Sequence, residues 1–247
     1  MFTSQLEKYE TIGLEQLKEA ELQRRIDTKF LLRREQVLEL LDFAIEDYRI
    51  LEVEGVMDSR YDSIYFDTSD EQFYHDHHRK KLTRHKVRKR CYVNTNTSFF
   101  EIKHKNNKGI TNKQRLQTYN FTAGLNANEL DFLNGYFEKE MNLKHTLSNS
   151  FSRITLVSKK LNERVTIDHD LRYNENIRIG EYGQELMIVE TKKLNNYQAS
   201  AIETKMRYIG IKPYKISKYC MGMAQIHDNI KQNRFKTKFR KISKLYK

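Results

Sequence analysis

Basic residues recur at every second position in segments of this chain that otherwise read as β-strands. Between residues 84 and 92 the sequence is Arg-His-Lys-Val-Arg-Lys-Arg-Cys-Tyr, so Arg84, Lys86, Arg88 and Arg90 stand two apart. Successive strand side chains point to opposite faces, which puts these four on one face. The pattern returns in Glu101-Ile102-Lys103-His104-Lys105, in Lys113-Gln114-Arg115 and in Glu190-Thr191-Lys192. One such strand could be a solvated surface. Four of them, each with hydrophobic or aromatic neighbours, predict a sheet whose concave face is cationic and suited to a polyanion.

The rest of the composition narrows the class. The formal net charge is +12. Residues 231–247 contribute Lys231, Arg234, Lys236, Lys238, Arg240, Lys241, Lys244 and Lys247 with no Asp or Glu, so part of the charge is a local tail. Cys91 and Cys220 are the only cysteines, which implies no disulfide framework and fits a reducing compartment. The N-terminal residues lack the apolar core of a secretory signal. No run approaches the ~20 apolar residues that span a bilayer. The expectation is a soluble, cytoplasmic protein. One proline and nine glycines leave no flexible linker, which predicts one continuous domain.

Hydrophobic periodicity predicts a helix over 4–22 with Leu6, Leu14, Leu17 and Leu22 as anchors, and a strand over 24–32. An amphipathic helix fits 35–47, and strands fit 48–55 and 61–67, with Ser69 placed to cap a short helix after them. Strands are expected at 83–93, 98–106 and 110–121. A helix follows from Asn126, where Asn-Ala-Asn-Glu reads as a capping box. Strands at 151–160, 163–170 and 185–193, a helix over 196–209 stopped by Gly210, and a last helix from Ser217 fraying into the tail complete the pattern. Eight to ten strands joined by short turns favour antiparallel pairing and closure into a barrel. Its charged faces must then line the interior, and its apolar faces must pack against helices. The expected fold class is therefore α+β, a closed antiparallel barrel with a charged interior braced by helices.

Several short motifs in order resemble a known family. They are Arg-Arg-Ile-Asp-Thr-Lys-Phe at 24–30, Ser-Ile-Tyr-Phe-Asp-Thr at 63–68 and Lys-Val-Arg-Lys-Arg-Cys-Tyr at 86–92, followed by Phe-Glu-Ile-Lys at 100–103. Arg-Val-Thr-Ile-Asp at 164–168, Ile-Val-Glu-Thr-Lys at 188–192 and Lys-Ile-Ser-Lys-Tyr at 215–219 continue the series. The set resembles the VTC (vacuolar transporter chaperone) domain, the polyphosphate polymerase branch of the CYTH-like triphosphate tunnel metalloenzymes. The resemblance covers about 24–224, with a helical segment over 1–23 before it and a helix end and basic tail over 225–247 after it. It implies a tunnel of about eight antiparallel strands. It further implies that the terminal phosphate of ATP is transferred in that tunnel to inorganic polyphosphate with Mn²⁺ or Mg²⁺.

By that resemblance Arg88 and Arg90 are the paired tunnel arginines, whose guanidinium forks suit phosphate oxygens. Lys29 matches the basic residue of the first tunnel strand. Hydrolytic relatives carry Glu-x-Glu-x-Lys there, whereas this chain has Arg25-x-Asp27-x-Lys29, which points away from a two-carboxylate metal site. Lys103 is expected on phosphate with Glu101 pairing its neighbours; Lys113 and Arg115 are further phosphate candidates, of which one is expected to face inward. Arg153 and Arg164 match later tunnel strands, with Asp168 placed to orient Arg164 or to help hold metal. Glu190 is the expected metal ligand and Lys192 its companion on the same face. Lys215 and Lys218 match the Lys-x-x-Lys motif that opens the final helix, a natural anion site. Arg88, Arg90, Lys103, Arg164 and Glu190 are the expected catalytic group. His75, His77 and His78 end a polar helix with no nearby cysteine and are not assigned a metal. Tyr65 and Phe66 read as core packing.

Two alternatives share the same expected tunnel: an inorganic triphosphatase or NTPase, and a polyphosphate-binding sensor without turnover. The expected partners are ATP and inorganic polyphosphate or triphosphate, with the protein acting either alone or beside a separate membrane partner. Nucleic acid fits less well, because the cations alternate along strands instead of flanking an aromatic stacking platform.

Overall fold

The computed structural model describes residues 2–19, 25–174, 177–178, 186–194 and 200–245. Leu22, Arg24, the first residues of the helix expected over 196–209, and Lys247 lie outside the described residues. In chain order the elements are α1 (Thr3–Leu6), β1 (Thr11–Ile12), α2 (Leu14–Glu19), β2 (Ile26–Leu32), α3 (Arg34–Ala44), β3 (Tyr48–Leu51) and β4 (Asp58–Asp67). They continue with α4 (Gln72–His78), β5 (Arg84–Tyr92), β6 (Thr97–Lys105), β7 (Thr111–Thr118), α5 (Ala127–Phe137), β8 (Lys144–Ser158) and β9 (Glu163–Tyr173). The last are β10 (Ile177–Arg178), β11 (Met187–Lys193), α6 (Ala201–Tyr208), α7 (Lys218–Ile226) and α8 (Asn233–Leu245).

The strands form one sheet whose main path runs β2-β11-β9-β8-β4-β5-β6-β7, with β3 on β8, β10 on β9 and β1 parallel to β3. The expected closed barrel is not formed. Among the described residues β2 and β7 end the path and do not pair with each other, so the sheet is curled but open. The reason is local to both edges. The backbone N–H of Tyr214 donates to the Lys29 carbonyl at 2.6 Å, so the segment before α7 covers the outer edge of β2. At the other end, most of β7 is exposed and carries Lys113 and Arg115, a charged edge that resists further pairing. Register shifts in β4–β8 at Tyr65/Phe66 and in β8–β9 at Ser150/Ser152 bend the sheet between these edges.

The apolar face packs outward, as its parity requires. Phe30, Leu32, Ile154, Leu156, Val165, Ile167, Met187 and Val189 meet Val37, Leu40, Leu41 and Ala44 of α3 in one core. Ile64, Phe66, Val87, Phe100 and Ile102 meet Leu133 of α5 in another. On the concave side α7 covers one end of the sheet, packing Tyr219, Cys220 and Met223 with Tyr65, Leu171 and Ile188. Gly222 makes this approach possible, because a Cβ there would stand 2.4 Å from the Tyr173 ring.

Other local expectations changed. The single helix over 4–22 is instead α1, β1 and α2, since Thr11 and Ile12 pair with Ile50 and Leu51. Ser69 does not cap α4; the Asp67 carboxylate accepts from the Phe73 and Tyr74 N–H groups and from the Tyr219 hydroxyl. Asn126 and Glu129 do form the reciprocal capping box. The tail is the helix α8, with Phe235 and Ile242 buried against the body. Cys91 and Cys220 are buried and free. Among the described residues no helix is long and apolar enough to cross a membrane.

Candidate phosphate-binding cavity

The concave face holds a cavity of about 730 Å³. Thirteen basic and five acidic side chains line it, so it carries a large cationic excess. Along β5 and β6 its lining runs from Lys86 and Lys103 to Tyr92 and Thr97.

Three carboxylates, Glu101 and Asp168 buried and Glu190 partly so, each hold two cations. Glu101 accepts from Arg88 at 2.7 Å and from Lys113 at 2.6 Å. Asp168 takes the Arg153 fork in two bonds, 2.6 and 2.8 Å, and pairs with Lys218 at 2.7 Å. Glu190 accepts from Lys29, its register partner on β2, and from Lys192 at 2.5 Å. Burial opposes ionisation of all three, but the adjacent cations win and hold each carboxyl well below its ordinary range. The lysines are strained in the opposite sense. Burial lowers Lys192 to about 8 despite Glu190. The Arg88 charge first, and then burial, pushes Lys103 well below its ordinary value. Burial does the same to Lys218.

A second set of basic side chains has no ion-pair partner. Among the described residues Lys86, Arg90, Lys103, Arg115 and Arg164 line the cavity without an ion pair to any carboxylate. Lys86 donates to the Ser217 hydroxyl at 2.9 Å, and Arg90 donates to Ser63 at 3.3 Å. Arg90 also lies over Tyr61 and Phe151, and Arg115 lies 4.7 Å from the Phe99 ring centre. These aromatic floors place guanidinium groups without consuming their charge.

The cavity therefore gathers Lys29, Arg88, Arg90, Lys103, Lys113, Arg115, Arg153, Arg164, Lys192, Lys218 and Glu190. Lys113 and Arg115 both face it. Lys215 does not; its side chain is exposed beside the cavity, and its carbonyl accepts from Lys238. Asp168 holds Arg153 and Lys218 instead of orienting Arg164. Sequence reasoning missed the roles of Lys86 and Tyr65. Strand parity with Arg88 and Arg90 already places Lys86 on this face. Tyr65 carries no such signal, because an inward aromatic on a strand looks like core. Burial would raise its phenol, but Arg88, Arg90 and Lys86 draw it below its ordinary value.

Among the described residues no three His, Cys, Asp or Glu side chains converge as a metal cage. Asp27 pairs with Arg25 at 3.1 Å. A divalent cation fits here only in the form where one carboxylate and the ligand's phosphates share it. Glu190 suits that form: it is ionised, and its two partners are lysines on flexible stems that can transfer to phosphate.

Several solved structures are similar to this chain over most of its length. The PH1819 protein of Pyrococcus horikoshii is similar over 82% of this chain and 99% of its own, at 12% identity and a TM-score of 0.47. A candidate adenylate cyclase from Bacillus halodurans is similar over 86% and 99%, at 17% identity and a TM-score of 0.45. A candidate adenylyl cyclase from Hippeastrum, described as revealing a dominant triphosphatase activity, is similar over 81% and 96%, at 11% identity and a TM-score of 0.45. No curated protein sequence matches the chain. Residues 24–227, which include every cavity cation on β2, β5–β9, β11 and α7, match the VTC domain, and the chain belongs to that family.

Proposed function

We propose that this protein is a metal-dependent phosphotransferase that moves the terminal phosphate of ATP onto inorganic polyphosphate within the cationic cavity. The observation that carries this reading is the basic set Lys86, Arg90, Lys103, Arg115 and Arg164, which faces one cavity without a carboxylate ion pair among the described residues. Such a set is complementary to several phosphates in a row, not to a single anion. Arg88, Arg153, Lys192 and Lys218 are held ready beside it by Glu101, Asp168 and Glu190.

Phosphoryl transfer needs positioning and charge neutralisation more than covalent chemistry. In this reading Arg88 and Arg90 clamp the donor phosphates, and Lys103 and Arg164 hold the acceptor chain. Glu190 would hold Mn²⁺ or Mg²⁺ against phosphate oxygens, where the cation adds further charge neutralisation. Transfer to polyphosphate makes less demand on a base than hydrolysis does. Activation of water calls for a base poised near neutral pH. Glu101, Asp168 and Glu190 are all held below that range, and Lys192, lowered to about 8, is the cavity group nearest to it. A polyphosphate terminus is already anionic and needs no base.

The test incubates purified protein with ATP and Mn²⁺ and follows ADP, free phosphate and long-chain polyphosphate in one tube. Polymer accumulating with ADP is expected. Free phosphate without polymer would move the activity to a triphosphatase. Binding of tripolyphosphate without turnover would make the protein a sensor.

A further inference from the structure

The helix α8 lies beyond the residues that match the family, and the cavity does not use it. Its apolar side is spent on the body through Phe235 and Ile242, while Lys236, Arg240, Lys241 and Lys244 are exposed. Lys238 donates to the Lys215 carbonyl, and the Lys238 and Lys241 ammoniums lie 5.1 and 4.3 Å from the Tyr214 ring centre. The same segment covers the β2 edge and leads into Ser217, which accepts from Lys86 at the end of the cavity. Two residues before Lys86 on β5 stands Arg84, paired in register with Lys105 on β6.

Arg84, Lys105, Lys215 and Lys238 thus continue the cationic lining outward onto α8. Among the described residues none of them, nor Lys241, forms an ion pair with a carboxylate. They also feel one another. Burial first, then Arg84 and Lys215, lowers the Lys105 ammonium; burial first, then Lys80 and Lys215, lowers Lys238. At the start of α8 a recess of about 740 Å³ adds Arg79, Lys231, Arg234 and Lys236 against Asp228.

We infer that Arg84, Lys105, Lys215 and the exposed basic face of α8 form an outer binding surface for polyphosphate chains too long for the cavity. This rests on the phosphate-handling reading of the cavity and extends it to the polymer outside. A lipid surface is disfavoured as the occupant, because the apolar side of α8 is already buried in the protein and cannot enter a bilayer.

The test compares wild type with Lys236→Gln/Lys238→Gln/Lys241→Gln in the full chain, without ATP, using tripolyphosphate and long-chain polyphosphate as probes. Long-chain affinity is expected to fall about tenfold at low salt. Counterion release of ~0.7 per charge on a single-stranded polyanion predicts that its salt slope drops by about 2. Tripolyphosphate affinity is expected to stay within about twofold. The Lys→Arg version of the same three positions keeps the charge and is expected to bind like wild type, which separates charge from any loosening of α8. Unchanged long-chain binding, or an equal loss for both probes, overturns the surface. Loss of binding to phosphatidylserine vesicles with long-chain binding intact overturns it in favour of a membrane. A wild type that binds polymer through these lysines but makes none from ATP keeps the surface and sinks the polymerase reading. A polymerase whose long-chain affinity ignores them does the reverse.

Discussion

Lys89 and Glu129 form an ion pair at 2.8 Å with both side chains fully buried, on the face of β5 opposite Arg88 and Arg90. The Lys89 ammonium also donates to the Asn120 and Gly124 carbonyls, and Glu129 accepts from Thr118 and the Asn126 N–H. One buried cation therefore ties β5 to the β7–α5 connection. The strand that presents the central cavity arginines is fixed from behind.

Removal of one partner from a buried pair leaves an uncompensated charge and costs about 3–5 kcal/mol. Lys89→Met is expected to destabilise the protein by that amount in urea unfolding. With Glu129→Leu added, a double-mutant cycle should return a coupling of about 1–3 kcal/mol. A coupling near zero would show that the carbonyl contacts, not the ion pair, hold Lys89.

Two arginines on the concave face should separate binding from stability. Arg90 has no carboxylate partner among the described residues, whereas Arg153 holds buried Asp168 in two bonds. Arg90→Ala is expected to weaken tripolyphosphate binding at least tenfold while changing unfolding stability by less than about 1 kcal/mol. Arg153→Ala should lower both, because Asp168 loses its fork and keeps only Lys218, a loss of about 2–4 kcal/mol for a hydrogen-bonded buried charge. Equal stability loss in the two variants would contradict the pairing.

The lowered Lys192 sets a pH dependence. Its ammonium titrates near pH 8 in the empty cavity, so above that pH the cavity loses a cation. A bound polyphosphate favours the charged form and raises that value. Tripolyphosphate binding should therefore take up protons between about pH 8 and 10 and weaken as pH rises through that window. Calorimetry in buffers of different ionisation enthalpy reads the proton directly. Lys192→Arg, which stays charged, should flatten the profile.

The charged face was legible because a period of two translates directly into a side of a strand. Arg88 and Arg90, Arg164 and Asp168, and Glu190 and Lys192 all read correctly from parity. The outward core was legible for the same reason. The first half of β8 was not, since Lys144-His145-Thr146-Leu147-Ser148-Asn149-Ser150 lacks an apolar alternation, and its pairing with β4 supplies what its own residues do not. Nor could local pattern show that the sheet stays open. That depends on which group takes the free edge of β2, and the donor is Tyr214, remote in the sequence. The division of labour among the cations was likewise hidden. Whether a lysine is neutralised is a property of the neighbouring strand, as Lys29 and Glu190 show across β2 and β11.

The same neighbour relationship makes Glu190 the sharpest residue to change. Its carboxylate accepts from Lys29 and Lys192, so in the metal-free protein it competes with phosphate for two cations. Glu190→Gln removes that competitor and a negative charge from the cavity. Without metal, the variant is expected to bind tripolyphosphate as tightly as wild type or several-fold more tightly. If Glu190 also holds the divalent cation, Mn²⁺ should strengthen tripolyphosphate binding in wild type but not in the variant, and turnover should fall by about 10²-fold or more. Weaker metal-free binding in the variant would mean that Glu190 organises Lys29 and Lys192 for phosphate and does not compete with it. Undiminished Mn²⁺ enhancement would place the metal on another carboxylate, with Asp168 the next to test because it too lies in the cavity wall, on β9 beside β11.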